Sequence, residues 1–273
     1  MGSLIGAFKR VLPVGLRDAI SRATYPYRHG SRFFTPYVIQ KDMEGQHFDF
    51  LIGDRTGRNW YDLPCINNPV WLEMRFVRDH MVEEGDVILE CGGHHGCSTI
   101  LLSRWVGATG CVVSYEPFRP NFSILAENVR RNTLTNVEPR MEAVGAEDGS
   151  ITFDESTSGV TTAGRGVTVK VARLDDQAHR RPNFLKIDVE GYEMQVLQGA
   201  RAILATRPKI AMELHAELLG QFGASVEKIF DIIGAQDYDI WAQWRDDRNP
   251  EPYTLGTPIT SRAHLFFLPK RAD

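Results

Sequence analysis

Asp86-Val-Ile-Leu-Glu-Cys-Gly-Gly-His-His-Gly-Cys-Ser-Thr99 is the stretch that decides how this chain of 273 residues folds. Asp86 to Glu90 has the length and apolar content of a buried strand, and Ser98 to Val106 follows a helical period. Between them lie glycines at 92, 93 and 96, so strand passes into helix through a tight turn. In open α/β sheets such a turn, at the carboxyl end of a strand, is where ligands bind.

Working outward, strand and helix patterns alternate. Cys111 to Tyr115 reads as a strand, Phe118 to Asn132 as a helix, Phe184 to Asp188 as a strand, Glu193 to Leu204 as a helix, and Lys209 to His215 as a strand. Ala263 to Leu268 supplies a last strand. The pattern predicts an α/β fold, a mostly parallel sheet with helices on both faces. Upstream, Val70 to Met81 has helical spacing, and His47 to Ile52 and Asn59 to Asp62 read as short strands around the turn Gly53 to Gly57. Ser150 to Leu174 is rich in Gly, Ser and Thr and reads as a mobile loop beside the site. Two parts result: an extension over residues 1–69, with the character of a lid or an interface, and a main domain over 70–273.

With 42% hydrophobic and 24% charged residues, the chain can bury one sizeable core. A net charge of −4 argues against nucleic acid and anionic membranes as partners. No apolar run is long enough to span a membrane, and no secretory leader is evident, so the expected location is the cytoplasm. The four cysteines, Cys65, Cys91, Cys97 and Cys111, are too few and too irregular for a disulfide framework. From Met1 to Arg32, six basic residues face the single acid Asp18. Apolar residues there recur at helical spacing, which suits an amphipathic helix docked on its own domain, on a membrane surface or on a second subunit of a homo-oligomer.

Glycine-rich turns also serve NAD and FAD, but a dinucleotide fingerprint ending at Gly96 needs glycine where Cys91 stands. Glu90 would moreover set a carboxylate beside a pyrophosphate, a repulsion between like charges. S-adenosylmethionine reverses that argument. It has no phosphate and carries a sulfonium and an ammonium, which a carboxylate attracts. Glu116, twenty residues past Gly96, ends the second strand where an acid can accept both ribose hydroxyls. The candidate cofactor residues are Glu90, Gly92, Gly93, His95, Gly96 and Ser98 around the turn, then Glu116 and Pro117, and Glu142 and Ala143 near the adenine.

These stretches, with Phe184-Leu-Lys-Ile-Asp-Val-Glu-Gly-Tyr-Glu193 and Pro208-Lys-Ile-Ala-Met-Glu-Leu-His215, resemble the FkbM family of methyltransferases from Asp86 to His215. Glu90 stands where many members have Asp, and Gly93 where Ala is commoner. The resemblance implies a Rossmann-like class I methyltransferase sheet and O-methylation of a hydroxyl on a sugar, glycoside or other secondary metabolite. A small-molecule or glycan acceptor would be the partner.

Displacement at a sulfonium methyl depends mainly on alignment, which can supply on the order of 7–11 kcal/mol. An alcohol also needs a base, which contributes about 10²–10⁴ in rate. Strand alternation puts Asp188 and Glu190 on one side of their strand, and Glu213 and His215 on one side of theirs. Asp188 and His215 lead as acid and base, with Glu190 and Glu213 behind them. Asp188 and Glu213 could instead hold Mg²⁺. Trp241 to Arg248 could wall an acceptor pocket. Two other readings stay open: a nicotinamide-dependent oxidoreductase, and an inactive binding module.

Overall fold

In the computed structural model, residues 34–62, 71–154, 159–160 and 167–271 are described. The basic stretch from Met1 to Arg32 lies outside them. The chain forms two compact units, Met1–Ile39 with Leu51–Asn67, and Gln40–Phe50 with Asn68–Asp273. In the smaller unit, Asp54 caps the helical turn Arg55–Gly57 by accepting from Gly57 N at 2.7 Å. Asn59 to Asp62, read as a strand, belongs instead to the helical turn Arg58–Asp62, where Asp62 accepts from the Tyr37 hydroxyl.

Ahead of the main sheet, β1 (Tyr37–Met43) pairs with β2 (Gln46–Ile52). Strand β1 was not read from the sequence. Within the larger unit the hairpin tip is pinned to helix α1 (Leu72–His80). There the buried Glu44 carboxylate accepts from Trp71 N at 2.8 Å, Arg75 Nε at 3.1 Å and Arg78 Nη1 at 3.0 Å. A buried carboxylate persists only when saturated in this way.

The core of the larger unit is a sheet of eight strands among the described residues. They are β3 (Val87–Cys91), β4 (Cys111–Tyr115), β5 (Val137–Arg140), β10 (Phe184–Asp188), β11 (Lys209–His215), β12 (Tyr238–Gln243), β13 (Glu251–Pro252) and β14 (Arg262–Pro269), in the order β13-β12-β14-β11-β10-β3-β4-β5. From β5 to β11 the pairing is parallel, whereas β14 runs antiparallel between β11 and β12. This is the Rossmann-like α/β sheet expected. Its strands are apolar because both faces are covered, and Ile88, Leu89, Val112, Val113, Leu185, Ile187 and Ile210 are fully buried.

Helices α2 (Cys97–Val106) and α3 (Arg119–Arg131) follow β3 and β4 as the periodicity indicates. The helix read over 193–204 is broken into α4 (Glu193–Gln198) and α5 (Arg201–Leu204). The break lies at Gly199, whose backbone packs so tightly that a Cβ there would meet Gly145 O at 2.0 Å. Asp175 then caps α5 by accepting from Ala202 N at 3.0 Å and Ile203 N at 3.1 Å. The region read as a loop, Ser150 to Leu174, is largely strand where it is described. β7 (Gly149–Asp154), β8 (Gly159–Val160) and β9 (Val167–Ala172) join β6 (Ala143–Val144) in a second sheet, β6-β9-β7-β8. Alternating burial in β9 signals it, with Val169 and Val171 inside and Thr168 and Lys170 outside.

The chain starts in the middle of the sheet at β3, winds outward through β4 and β5, and returns to β10 on the other side. The winding direction reverses between β3 and β10, and in open sheets of this kind the crevice that binds ligands lies outside the carboxyl ends of the strands at that point.

Candidate active site

Two groups of sequence-predicted residues meet at this carboxyl edge. The first surrounds the glycine turn. Gly92 N and Gly93 N donate to Tyr115 O at 2.9 and 3.0 Å, which ties the turn to the end of β4. Gly92 has φ +91°, and a Cβ on it would lie 1.9 Å from Asp188 O. Only a residue without a side chain lets the two central strands end this close together. A Cβ on Gly93 would lie 2.3 Å from Ser114 Oγ, and Gly96 starts α2.

Glu90 differs from expectation in its contacts. It is fully buried, and its carboxylate accepts from Ser98 Oγ at 2.5 Å, Thr99 Oγ1 at 2.5 Å and Ser114 Oγ at 2.7 Å. A carboxylate placed this deep must be satisfied by the protein itself, and through these three hydroxyls Glu90 braces the turn. Ser98 is spent on the same bracing. Glu90→Ala strands three buried hydroxyls, and we expect a loss of about 1–3 kcal/mol of stability, read by denaturant melts.

Glu116 follows β4, and its oxygens accept from His94 N at 2.9 Å and Phe118 N at 2.8 Å. Burial pushes its proton affinity up to about 8, while those amides and Asn121 oppose the rise. It thereby spans the glycine turn and the start of α3, with Pro117 half-buried beside it. His95 is fully buried, its Nε2 3.2 Å from Asn121 Oδ1, and burial drives its pKa down to about 4. His95 therefore packs between turn and helix, a place the sequence reading did not give it. Glu142 and Ala143 follow Arg140, which is in register with Tyr115, so they reach the same edge. Glu142 accepts from Lys170 Nζ at 2.6 Å, and Ala143 is buried in β6.

The second group lies across β10, β11 and β14. Asp188 is in register with Glu213, and Glu213 with His264, so three ionisable residues form one row. Asp188 is about one-third exposed, and its Oδ2 is 4.0 Å from the buried Lys186 Nζ. Burial and then Glu213 raise its pKa to about 7, against the pull of Lys186. Burial opposes the charge on Lys186, but Glu73, Asp188, Glu90 and Glu213 together outweigh it and keep the ammonium strongly protonated.

Glu213 Oε1 accepts from Arg262 Nη1 at 2.7 Å and lies 3.6 Å from His215 Nε2. Burial acts to raise its pKa, but His264, Arg262 and His215 prevail and lower it. His215 is ringed by acids: Glu193 Oε1 is 3.1 Å from Nδ1 and Glu190 Oε2 3.3 Å from Nε2. Burial works against its charge, yet Glu193, Glu190 and Glu213 raise its pKa to about 9. Glu190 itself is half-exposed and holds φ +53°, a backbone conformation uncommon for a residue with a side chain.

Asp188 and Glu213 are a poor fit for Mg²⁺. The oxygens of Glu213 face Arg262, His215 and His264, and a hard dication would be repelled by the same cations. Among the described residues, no group of three or more His, Cys, Asp or Glu side chains is arranged to hold a metal ion.

Sequence reasoning missed Lys186, Glu193, Arg262 and His264 as site residues, and Asp246, which accepts from Arg262 Nη2 at 2.6 Å. The alternation Arg262, His264 in the last strand was the available signal, but its antiparallel register with β11 was not legible. Trp241, read as a pocket wall, stacks on His80 with ring centroids 6.4 Å apart and packs tilted against Phe76 at 5.4 Å. Of that segment, the buried Gln243 is in register with His264 and Asp246 accepts from Arg262.

The profile of the Methyltransferase FkbM domain matches residues 90–240, more than half of the chain. The chain belongs to the FkbM methyltransferase family. The match runs from Glu90 through the glycine turn and through β10 and β11, ending ahead of Arg262 and His264, and it replaces the nicotinamide-dependent reading with that of a methyltransferase domain. The hexuronic acid methyltransferase AglP of Haloferax volcanii is 31% identical over 144 residues, covering 49% of this FkbM chain and 58% of that protein. Methyltransferase 1 of Beauveria bassiana is 27% identical over 143 residues, covering 41% and 57%. This FkbM chain thus spans somewhat over half the length of the curated relatives it matches. A crystal structure of an FkbM methyltransferase from Methylobacillus flagellatus superposes with a TM-score of 0.48 at 22% identity, covering 70% of this chain and 45% of that one. Among the described residues, no helix is long and apolar enough to cross a membrane.

Proposed function

We propose that the chain is an S-adenosylmethionine-dependent methyltransferase acting on a hydroxyl of a sugar, glycoside or related secondary metabolite. The observation that carries the O-transfer is Asp188. It stands at the crevice, against the glycine turn, with a carboxyl whose proton affinity is lifted to about 7. An alcohol needs a base that is ionised at working pH yet still holds a proton well, and a carboxyl lifted to neutrality meets both demands.

When bound, S-adenosylmethionine supplies a sulfonium-activated methyl group. The turn Gly92 to Gly96, braced by Glu90, and the acid Glu116 would hold it, and the absence of a side chain at Gly92 keeps the backbone there open to close approach. Asp188 accepts the proton of the acceptor hydroxyl at Oδ1 or Oδ2. His215, kept cationic by three carboxylates, serves as a charged donor that orients the acceptor, a different role from the base considered for it. Lys186 limits the rise in Asp188 by its positive charge. The hexuronic acid methyltransferase similarity supports a carbohydrate acceptor.

The signs of the two shifts set the pH dependence. Asp188 works ionised, so activity rises as pH climbs through about 7. His215 works protonated, so activity falls as pH climbs through about 9. We expect a bell with its plateau between these limbs, measured as methyl transfer to a pool of methyl glycosides. Calorimetry with S-adenosylmethionine, S-adenosylhomocysteine and NAD tests the cofactor. Tight NAD binding with no heat from either sulfur compound would overturn the reading, and cofactor binding without transfer to any acceptor would favour an inactive module.

A further inference from the structure

Glu193 opens α4 and is completely shielded from solvent. Its Oε1 accepts from Gly191 N at 3.0 Å and faces His215 Nδ1 at 3.1 Å. Its Oε2 has no hydrogen-bond partner among the described residues. Leaving a buried carboxylate oxygen unbonded is costly, and a cap for the start of α4 needs no charge. The nearby imidazolium is what offsets that cost.

We propose that Glu193 is a positioning residue that grips His215 through Nδ1 and thereby fixes Nε2 toward Glu190 and Glu213 at the mouth of the crevice. The distances define the direction. With Nδ1 held by Glu193, Nε2 lies 3.3 Å from Glu190 Oε2 and 3.6 Å from Glu213 Oε1. The ring cannot turn over without breaking all three approaches. Glu190 is half-exposed, so this nitrogen is the one placed at the solvent side of the cluster. A histidine oriented by a buried acid on its far nitrogen is a general way of fixing which nitrogen faces a substrate.

The charged groups facing the ring are Glu193 on α4, Glu190 on the preceding loop and Glu213 on β11, with Arg262 of β14 in register with His215. The proposal rests on the O-methyltransferase reading for its purpose, but its test does not need turnover. Full-length protein saturated with S-adenosylhomocysteine would be titrated by nitrogen-15 NMR of the imidazoles, as wild type, Glu193→Gln and Glu193→Asp. We expect the His215 midpoint of wild type to lie well above the ordinary imidazole value, Glu193→Gln to lower it by at least one pH unit, and Glu193→Asp to restore part of the shift. A merely structural cap would lower the melting temperature in Glu193→Gln and leave the imidazole midpoint where it was. Identical midpoints in all three proteins overturn the proposal, and Glu193→Asp alone decides the matter if Glu193→Gln does not fold. Methyl transfer to the glycoside pool is scored separately. Absence of transfer by wild type counts against the acceptor chemistry, whereas an unmoved imidazole counts against the grip of Glu193.

Discussion

Asp188→Asn is expected to lower kcat by about 10²–10⁴ while the dissociation constant for S-adenosylmethionine changes little. Asn keeps the size of the side chain and its place in the row with Glu213 but cannot take a proton. The acidic limb of the pH profile near 7 should vanish with it, since that limb is assigned to the carboxyl lifted by burial and Glu213. Stability moves the other way. A carboxyl whose folded pKa is raised costs stability wherever it is ionised, so above pH 7 the variant should melt no lower than wild type. Rapid-quench methyl transfer and calorimetry check the two halves. An unchanged kcat would remove Asp188 from the reaction, and a lost cofactor affinity would make it part of the binding site.

Gly92→Ala should be the most damaging single-methyl change in the domain. At φ +91° the added Cβ meets Asp188 O at 1.9 Å, and the obstacle is backbone, so no side-chain rotation relieves it. The left-handed conformation costs about 1–2 kcal/mol and the overpacking about 1–3 kcal/mol. A loss of roughly 2–5 kcal/mol follows, a drop of about 5–20 °C in Tm at the usual 2–4 °C per kcal/mol. Because Gly92 N is tied to Tyr115 O, relief by moving the turn also moves the crevice, and cofactor affinity should fall with stability. Scanning calorimetry with and without S-adenosylhomocysteine measures both. A variant that melts within a degree of wild type and binds normally would show that the two strand ends separate freely.

Much of the fold was legible because burial on both faces writes itself into the chain. Val87 to Cys91, Cys111 to Tyr115 and Phe184 to Asp188 are apolar runs of strand length, and each is a strand of the central sheet. Where local pattern and long-range packing disagreed, packing prevailed. Gly199 splits one periodic helix in two because Gly145 O lies against it, and the Gly, Ser and Thr of 150–174 hide the pairing of β7 with β9. The hairpin ahead of the domain was half seen, because the carboxylate of Glu44 draws its meaning from Arg75 and Arg78, some thirty residues away.

The amino-acid sequence by itself determined the α/β class, the glycine turn, the acid after the second strand and the family, because each depends on neighbours within a few residues or on a contiguous motif. Only the tertiary structure decided what the acids do. Glu90 and Glu116 are both carboxylates at strand ends, yet the first is saturated by three hydroxyls below the turn and the second by two backbone amides at its rim. Asp188, Glu213 and His215 likewise owe their opposed proton affinities to Lys186, Arg262, His264 and Glu193. Charge interactions fall off with distance through space and take no account of separation along the chain, so the parallel and antiparallel registers that set those distances had to be seen.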